Sequence, residues 1–481
     1  MKSGMKLKKL LKDLPVEEVV GSKDLEICGI YNHSRLVAPK GLFIAKRGTV
    51  YDGNEYIFDA ILAGAVAVVT DIKNPFLQNV TQIIVSDISL TEALLAQKFY
   101  GNPTDTLCLT GVTGTNGKTT TTHILQHILS PEICGFLGTV GVRIGEVSYK
   151  NAMTTPDCVT LHKYFREMTA ANLTHCVLEV SSHAIDQKRI RNLSFAYGIY
   201  TNLSSEHLDY HGTMEEYAKT KRAFFAQVTK GIALNIDDSW AAYMRCAMQC
   251  PVYTYGMVPD AQFCAKNIET TIDQTHFALH HPKGVQPICL PLIGEANVYN
   301  ALGAIVIAYA QGIEMETIAA RLHTVPPVEG RLQRITHPKG CHVFVDYAHT
   351  EDALYRALSL LSTVGTGRIM TLFGCGGERD RQKRPKMARV AESFSDLVIV
   401  THDNPRKEDP MSIITEICEG FLQTNHVVIE DRKEAIMKAI ELAGADDIIL
   451  IAGKGHETEQ IFDTQSFLFS DAKVAEEICL M

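Results

Sequence analysis

A glycine-rich run, TGVTGTNGKTTT from Thr110 to Thr121, constrains this chain more than any other feature. It follows an apolar, strand-like segment and leads into a helix-like one, which is the context of a phosphate-binding loop. Its three spaced glycines let backbone amides turn toward phosphate oxygens, Lys118 can neutralise the β- and γ-phosphates, and the Thr119 hydroxyl can ligate Mg²⁺ at the positive end of the helix. The run therefore predicts ATP binding, with a glycine-rich turn that binds no nucleotide as the alternative. The candidate nucleotide-binding residues of this loop are Gly111, Thr113, Gly114, Thr115, Asn116, Gly117, Lys118, Thr119 and Thr120.

The composition is that of a globular chain with several cores. With 481 residues, of which 46% are hydrophobic, the chain is too long for one core and apolar enough for about three domains. The formal charge of −9 is spread over both signs without a basic block. This distribution argues against a nucleic-acid groove or an anionic membrane surface as a partner.

The cysteines and the apolar runs indicate a compartment. Thirteen cysteines are scattered without a CxxC pair or metal-type spacing, a pattern typical of free thiols in a reducing environment. The N-terminal residues lack the apolar core of a secretory signal, and no segment offers about 18 uninterrupted apolar residues. We therefore expect a soluble, cytoplasmic protein.

Strand-like and helix-like segments alternate along the chain. From Leu42 to Thr70 the pattern runs strand, glycine-rich turn, amphipathic helix and strand, and a second short strand follows at 82–87. A break at 101–103 precedes strands at LCLTGVTG, HCVLEV and AYGIYTNLS, which predict a doubly wound parallel sheet. Two prolines and a glycine at 326–334 precede strands at HVFVDYA, RIMTLFGCGG, DLVIVTHDN and DIILIAGKG. These breaks predict three domains, which span residues 1–100, 101–328 and 329–481.

Ordered motifs along the chain carry a family resemblance. After TGTNGKTT come TTPD, LEVSSHAIDQKR, TNLSSEHLDYHG, YAKTK, GEANVYNALGA, EGRLQR, DYAHT, GCGGERDRQKRP, DNPR and GKGHE. In this order and spacing they resemble the Mur ligases, and within that family the branch that adds the third residue of the muramoyl peptide. The similarity covers nearly the whole chain, and the ordered set is far more specific than any single string.

The resemblance implies a fold and an activity. It implies an α/β protein with a small N-terminal UDP-binding domain, a central P-loop ATPase domain with a parallel sheet, and a C-terminal Rossmann-like domain that binds an amino acid. The implied activity is that of an ADP-forming acid–amino-acid ligase, which adds meso-diaminopimelate to UDP-N-acetylmuramoyl-L-alanyl-D-glutamate through an acyl phosphate in cytoplasmic peptidoglycan precursor synthesis. ATP and Mg²⁺ are the implied cofactors, the partners are these small molecules, and a monomer is expected.

A carboxylate and a hydroxyl beside the phosphates suggest a magnesium site. Glu179 ends an apolar strand at the carboxyl edge of a parallel sheet, where α/β proteins bind ligands. Because Mg²⁺ prefers oxygen ligands and keeps several waters, Thr119 and Glu179 suffice, with a solvated strand-end glutamate as the alternative. The resemblance implies a second Mg²⁺ held by His207 and by Lys221 as a carbamate formed with CO₂, where the sequence alone favours a solvated helix lysine. The implied catalytic residues are Lys118, Glu179, His207 and Lys221.

Further nucleotide contacts follow from the resemblance. Asn297 and Asn300 lie three apart on one predicted helix face, and Asn297 is the expected nucleotide contact. Arg331 is implied to reach the γ-phosphate and Asp346 the ribose, with His349 close enough to stack or support. Charged strand ends that face solvent are the alternative.

The resemblance also assigns a uridine-nucleotide site. The implied residues, which would bind uracil, pyrophosphate or peptide oxygens, are Ser34, Thr154, Thr155, Ser181, Gln187 and Arg189. The first motif of this site reads NHSR, where many relatives have an aspartate before Ser-Arg.

The amino acid to be added is indicated by DNPR, which ends a predicted strand. Pro405 turns the chain out of extended pairing, so Arg406 is free to point at a ligand. The second carboxylate of meso-diaminopimelate matches the two parallel N–H groups of an arginine. Lysine as the substrate would leave these groups unpaired, which costs about 1 to 3 kcal/mol or more. Family members that add diaminopimelate carry DNPR, although an isolated DNPR could cap a surface turn. The implied diaminopimelate-binding residues are Arg379, Asp403, Asn404, Pro405, Arg406, Gly453 and Glu457, with Glu457 accepting from the distal ammonium.

Four other classes of protein were weighed against this interpretation. A lysine-adding ligase is disfavoured by Arg406, and a folylpolyglutamate synthetase would not need the muramoyl motifs. A simple P-loop ATPase or kinase would show hydrolytic or phosphoacceptor machinery, which is not recognisable. A non-catalytic nucleotide-binding regulator would be expected to have lost Lys118, Glu179 or Lys221, and all three are present.

Overall fold

The computed structural model describes residues 4–48, 51–151, 153–337 and 340–480. The glycine-rich turn predicted between Leu42 and Thr70 includes residues 49 and 50, which lie outside the described residues. The chain forms two compact units. The first comprises Met1–Cys264, His280–Lys283 and Tyr299–Ile318, and the second comprises Ala265–Leu279, Gly284–Val298 and Ala319–Met481. Within the described ranges, none of the helices has the length and apolar character needed to cross a membrane.

The first unit begins with a small α/β layer. Its strands are β1 (Met5–Lys6), β2 (Glu18–Val20), β3 (Glu26–Ile27), β4 (Gly29–Tyr31), β5 (Gly41–Ile44), β6 (Ala65–Thr70) and β7 (Thr81–Ile84). Its helices are α1 (Leu7–Leu10), α2 (Ile57–Leu62) and α3 (Ile88–Phe99), with 3-10 turns at Ser34–Leu36, Gly53–Tyr56 and Pro103–Asp105. The sheet order is β2-β7-β6-β5-β4, parallel except at β2. The strands predicted at the two ends of the segment Leu42–Thr70 are confirmed as β5 and β6, and the strand predicted at 82–87 is found as β7, which ends earlier, at Ile84.

A larger parallel sheet follows in the same unit. Its strands are β8 (Cys108–Thr113), β9 (Cys134–Gly138), β10 (Gly141–Ile144), β11 (Val147–Tyr149), β12 (His175–Glu179), β13 (Phe195–Tyr200), β14 (Val228–Asn235) and β15 (Val252–Gly256). Its helices are α4 (Lys118–Leu129), α5 (Cys158–Ala170), α6 (Ser182–Asp186), α7 (Leu208–His211), α8 (Met214–Phe224) and α9 (Ala241–Arg245), with a 3-10 turn at Phe225–Gln227.

The parallel strands run in the order β9-β12-β8-β13-β14-β15, and β10 and β11 add antiparallel at one edge. Strands β8 and β12 are almost wholly buried because helices cover both faces, which explains their continuous apolar sequence. The predicted doubly wound sheet is confirmed.

Most of the segment after β15 was not predicted from the sequence. It contains β16 (Phe263–Thr270), β17 (Thr275–His281), β18 (Gly284–Leu290), α10 (Glu295–Ala310) and α11 (Met315–Leu322). Only α10 was expected, because its apolar run is long enough to identify a buried helix. The burial of β16 and β18 does not follow a period of two, so their strand signal is weak. Strand β17 does alternate from Thr275 to Leu279, and this signal was not recognised in the sequence.

The second unit contains a six-stranded sheet. Its strands are β19 (Gln333–Thr336), β20 (His342–Asp346), β21 (Ile369–Phe373), β22 (Leu397–Val400), β23 (His426–Val428) and β24 (Ile448–Ala452), followed by a hairpin of β25 (Glu459–Phe462) and β26 (Gln465–Leu468). Its helices are α12 (Glu351–Val364), α13 (Lys383–Phe394), α14 (Pro410–Cys418), α15 (Arg432–Leu442) and α16 (Asp471–Cys479).

The order of this sheet is β19-β20-β24-β21-β22-β23, with only β19 antiparallel. Apolar clusters lie on both of its faces, one centred on Leu354 and Leu358 and the other on Ile436 and Ile440. The four predicted strands of this region are confirmed as β20, β21, β22 and β24. Their loops DYAHT, GCGGERD, THDNPR and GKGHE therefore leave the same carboxyl edge of one parallel sheet.

Candidate active site

The phosphate loop joins the end of β8 to the start of α4. Gly114 and Gly117 have φ values of +154° and +84°, and a Cβ atom at these positions would collide with the Thr201 hydroxyl and the Asn300 amide oxygen. Both positions therefore require glycine. The loop is held by Asn202, whose carbonyl accepts from the Thr115 amide (2.9 Å) and whose Oδ1 accepts from the Asn116 amide (2.9 Å).

Two lysines converge on the carbonyl of Gly114. Lys118 Nζ donates to this oxygen (2.9 Å) and to the Thr115 carbonyl (2.7 Å), and Lys221 Nζ donates to the Gly114 carbonyl from α8 (2.8 Å). Lys221 is only 1% exposed, so the alternative of a solvated helix lysine is wrong. Burial, aided by the charge of Lys118 and opposed by Glu206, holds the pKa of Lys221 well below its ordinary value.

Glu179 lies at the end of β12, opposite Val112 of β8. It is 1% exposed, so the alternative of a solvated strand-end glutamate is also wrong. Its carboxylate accepts hydrogen bonds from the Thr139 amide (2.8 Å) and the Thr139 hydroxyl (3.1 Å), and its backbone carbonyl accepts from the Thr155 hydroxyl (2.7 Å). The Thr139 hydroxyl also lies 3.1 Å from that of Thr154. Thr139 was not predicted as a site residue, since a threonine after a short strand carries no signal of its own.

His207 caps α7 in a left-handed conformation, with φ +56°. Burial lowers its pKa, and the charges of Lys118 and Lys221 act in the same direction against Glu206. Its ring lies 5.0 Å from that of His183, which in turn lies 5.7 Å from that of His211. These two further histidines were not predicted as site residues.

The oxygen donors Thr119 and Glu179 suit Mg²⁺, whereas the ammonium form of Lys221 does not. Among the residues that the structure describes, no group of three or more His, Cys, Asp or Glu side chains forms a ready metal site.

Four of the residues predicted for the uridine nucleotide form one hydrogen-bonded group. The Thr155 hydroxyl accepts from the Ser181 amide (3.1 Å), and its carbonyl accepts from Arg189 Nη1 (2.8 Å). Arg189 Nη2 also donates to Gln187 Oε1 (2.6 Å). These contacts fix the guanidinium of Arg189 at the start of the segment after α6.

Ser34 is buried at the start of the 3-10 turn Ser34–Leu36. In the NHSR motif, Nδ1 of His33 accepts from the Arg35 amide (3.2 Å), so the imidazole caps this turn as an aspartate would. Nearby, Lys46 Nζ donates to Glu92 Oε2 (3.1 Å) and to the Gln187 carbonyl (3.1 Å). Lys46 and Glu92 were not predicted as neighbours of this site, because Lys46 is far in sequence from both Glu92 and Gln187.

In the second unit, the residues predicted for the γ-phosphate and the ribose lie close together: Arg331 precedes β19, and Asp346 ends β20. The Asp346 carboxylate accepts from the amides of Leu332 (2.7 Å) and Ala348 (2.8 Å), and burial raises its pKa although Arg331 opposes the shift. The Arg331 guanidinium lies 5.0 Å from the ring of Tyr347, and this ring lies 4.6 Å from that of His349. Tyr347, which was not predicted, is therefore the centre of this group.

The two asparagines of α10 have different environments. Asn297 Nδ2 donates to the Ile293 carbonyl (2.9 Å). Asn300 Oδ1 accepts from Thr121 (3.3 Å) and lies against Gly117 of the phosphate loop. In the first unit, Asn300 thus contacts the phosphate loop, and Asn297 stays the predicted nucleotide contact.

The loops after β22, β21 and β24 meet at the carboxyl edge of the C-terminal sheet. Arg406 has φ +52°, and its Nη1 donates to the Gly377 carbonyl (2.7 Å). Asn404 Nδ2 donates to Glu457 Oε2 (2.7 Å). Gly453, with φ +111°, approaches the Asp403 carboxylate so closely that a Cβ atom would lie 2.7 Å from it.

The structure thus brings together Asp403, Asn404, Pro405, Arg406, Gly453 and Glu457 of the predicted amino-acid site. Arg379 is exposed on the loop after β21, with its Cγ 3.8 Å from a Cβ built on Gly376.

Two buried arginines support these loops and were missed in the sequence. Arg384 is fully buried and donates to Glu416 Oε2 (2.7 Å) and Glu408 Oε2 (3.0 Å). Arg432 pairs with Asp471, both side chains being fully buried. Its Nη1 and Nη2 donate to the carbonyls of His402 (3.3 Å) and Ala452 (2.9 Å), the residues that immediately precede the DNPR and GKGHE loops.

Comparison with known proteins gives these sites a family. The model of the Mur ligase family catalytic domain matches residues 26–100, that of the Mur ligase middle domain matches 112–308, and that of the Mur ligase glutamate ligase domain matches 330–455. The expected three-domain α/β class is thereby confirmed.

Relatives and solved structures agree with the family models. UDP-N-acetylmuramoyl-L-alanyl-D-glutamate–2,6-diaminopimelate ligase of Halalkalibacterium halodurans is 40% identical over 480 residues, which are 98% of each chain. A solved structure of a ligase of the same name is similar at a TM-score of 0.71 and 29% identity, over 99% of each chain. The MurF ligase of Thermotoga maritima, solved with ADP, shares the fold at a TM-score of 0.61 and 18% identity, over 94% of this chain and 96% of that one. On this similarity across almost its whole length, the chain belongs to the Mur ligase family.

Proposed function

We propose that this protein is the ADP-forming ligase that adds meso-diaminopimelate to UDP-N-acetylmuramoyl-L-alanyl-D-glutamate in peptidoglycan precursor synthesis. The observation that carries the proposal is the convergence of Arg406, Asn404 and Glu457 at one edge of the C-terminal sheet. This edge offers a guanidinium and a carboxylate, which complement the carboxylate and the ammonium at the far end of diaminopimelate. The relative from Halalkalibacterium halodurans carries the same activity in its name.

The reaction joins two steps. An oxygen of the glutamyl carboxylate attacks the γ-phosphorus of ATP, a P–O bond forms, and the bond to the β-phosphate oxygen breaks to release ADP. The amine of the amino acid then attacks the acyl carbon, phosphate leaves with the C–O bond electrons, and the nitrogen loses a proton. Lys118 and the amides of the phosphate loop offset the repulsion between the two anions in the first step.

Mg²⁺ would be held by Thr119 and Glu179, with a second ion at His207 and Lys221, and would neutralise developing charge on the transferred phosphoryl group. Thr139 fixes the Glu179 carboxylate by two hydrogen bonds, so this ligand is oriented in advance.

Lys221 is proposed to be carbamylated. Its burial and its lowered pKa favour the neutral amine, which is the form that attacks CO₂ to give a carbamate and a proton. The product is an anion close to the Lys118 ammonium, because both lysines donate to the same Gly114 carbonyl. Modification would thus add an electrostatic attraction between the two side chains.

The remaining expectations complete the proposal. We place the domain boundaries at 1–100, 101–328 and 329–481, which are consistent with the three family matches. The predicted residues for ATP and the uridine nucleotide keep their proposed roles, with Asn300 added as a support of the phosphate loop. A monomer in the cytoplasm, acting on small molecules without nucleic acid or membrane, is part of the same proposal.

The test is phosphate release from ATP with purified UDP-N-acetylmuramoyl-L-alanyl-D-glutamate in the presence of meso-diaminopimelate, L-lysine or no amino acid. We expect stoichiometric phosphate and a UDP-tripeptide mass with diaminopimelate, and only slow turnover with L-lysine. Equal use of lysine would contradict the assigned amino acid, and no product with either would contradict the muramoyl substrate.

A further inference from the structure

A fully buried lysine lies behind the proposed amino-acid site. Lys454, in the loop after β24, is 0% exposed, while the Glu457 side chain beside it is 32% exposed. Lys454 Nζ donates to Asn404 Oδ1 (3.0 Å), to Glu457 Oε2 (3.1 Å) and to the carbonyl of Glu459 (2.7 Å). The lysine thus contacts two residues that would bind the substrate, from the side away from solvent.

The hydrogen bonds of this ammonium are fully used. An ammonium group has three protons, and the three acceptors around Lys454 engage all of them. A substrate therefore gains no direct contact with Lys454. Any influence on the amino acid must pass through Asn404 and Glu457.

Glu457 is held from two directions. Its Oε2 accepts from Lys454 Nζ and from Asn404 Nδ2 (2.7 Å), whereas its Oε1 receives no hydrogen bond among those found in the described ranges. Asn404 is itself fixed, because its Oδ1 also accepts from the Ile461 amide (3.0 Å). One carboxylate oxygen is thereby anchored, and the other is left to a ligand at the exposed end of the side chain.

We propose that Lys454 is a positioning residue for amino-acid selection, which orients Glu457 to receive the distal ammonium of the incoming substrate. This inference rests on the proposed function and adds to it a residue that acts through another. Loss of Lys454 should therefore weaken the binding of only those amino acids that carry a distal ammonium.

Three test amino acids distinguish the contribution of the distal carboxylate from that of the distal ammonium. meso-Diaminopimelate has a distal carboxylate and a distal ammonium, L-lysine has the ammonium only, and 2-aminopimelate has the carboxylate only. Steady-state kcat and KM are measured for each with wild type, Lys454→Met and Lys454→Gln, the last of which keeps an N–H donor. Lys438→Met, at a half-exposed lysine on α15, is the matched control. Thermal unfolding of each variant establishes that it is folded.

For Lys454→Met we expect the KM for diaminopimelate to rise about tenfold or more, with the KM for ATP and for the UDP-dipeptide unchanged. The ratio of kcat/KM for diaminopimelate to kcat/KM for 2-aminopimelate should fall by the same factor. For Lys454→Gln, both the KM for diaminopimelate and this ratio should lie between the values of Lys454→Met and wild type. An equal loss with all three amino acids overturns the proposal, because a purely structural role does not discriminate among them. If wild type itself does not ligate diaminopimelate, the proposed function fails, and this inference fails with it.

Discussion

Replacing Arg406 with lysine is expected to reduce kcat/KM for meso-diaminopimelate about 10- to 150-fold. One N–H of the guanidinium is already bound to the Gly377 carbonyl at 2.7 Å, so the rest of the fork is what a distal carboxylate can use. Lysine offers a single ammonium in place of two parallel N–H bonds, and the loss of one charge-assisted hydrogen bond costs about 1.5 to 3 kcal/mol. The positive φ of position 406 strains lysine and arginine alike, so the difference reports on the side chain.

The assay is the initial rate of phosphate release at subsaturating amino acid, with L-lysine as the second substrate and Arg389→Lys, at an exposed position of α13, as the control. Because L-lysine has no distal carboxylate, its kcat/KM should change less than threefold. A parallel loss with both amino acids, or an unchanged rate with diaminopimelate, would refute the assignment of Arg406 to the distal carboxylate.

Three further expectations follow from burial and close contact. Lys221→Met should lower kcat ~100-fold or more and remove the carbamate carbon signal that wild type shows after exposure to ¹³C-bicarbonate. The control Lys219→Met, at an exposed neighbouring position, should keep the wild-type kcat and the carbamate signal. Wild-type activity that is independent of CO₂ would contradict the proposed carbamate. Gly117→Ala should abolish ATP binding measured by calorimetry, since the added Cβ collides with Asn300, and unchanged affinity would be the contrary result. Burial lowers the pKa of His162 to about 4, so the unfolded state binds the extra proton between pH 4 and 6.5 and the free energy of unfolding should rise with pH by up to about 3 kcal/mol across that window. His162→Phe should reduce the dependence of the unfolding free energy on pH, measured by urea titration. An unchanged pH dependence would mean that other groups cause it.

The sequence predicted those parts of the fold that depend on local pattern. Parallel strands buried on both faces, such as β8, β12 and β24, appear in the sequence as continuous apolar runs. The phosphate loop is recognisable because its spaced glycines are required by the loop geometry. The strands β16 and β18 were missed because their burial does not follow a period of two, and β17 was missed although it alternates over a short run.

The candidate site divides in the same way. Arg406 and Glu457 belong to motifs that are recognisable in one dimension. Lys454 and Thr139 were not predicted, because their roles depend on partners brought near by the fold rather than on their own residue type. Lys221 shows the limit most clearly: the charged residues Lys219 and Arg222 lie beside it in sequence, and only the packing of α8 reveals that its amine is buried.

The Arg432–Asp471 pair has a consequence for how this enzyme can change over generations. Loss of either partner leaves a buried charge and costs about 3 to 5 kcal/mol, a large fraction of the roughly 5 to 15 kcal/mol that stabilises a typical domain. Because the same guanidinium binds the carbonyls in front of the DNPR and GKGHE loops, a single substitution would also displace both loops at once. A substitution at position 432 or at position 471 should therefore be tolerated only together with a compensating change at the other position.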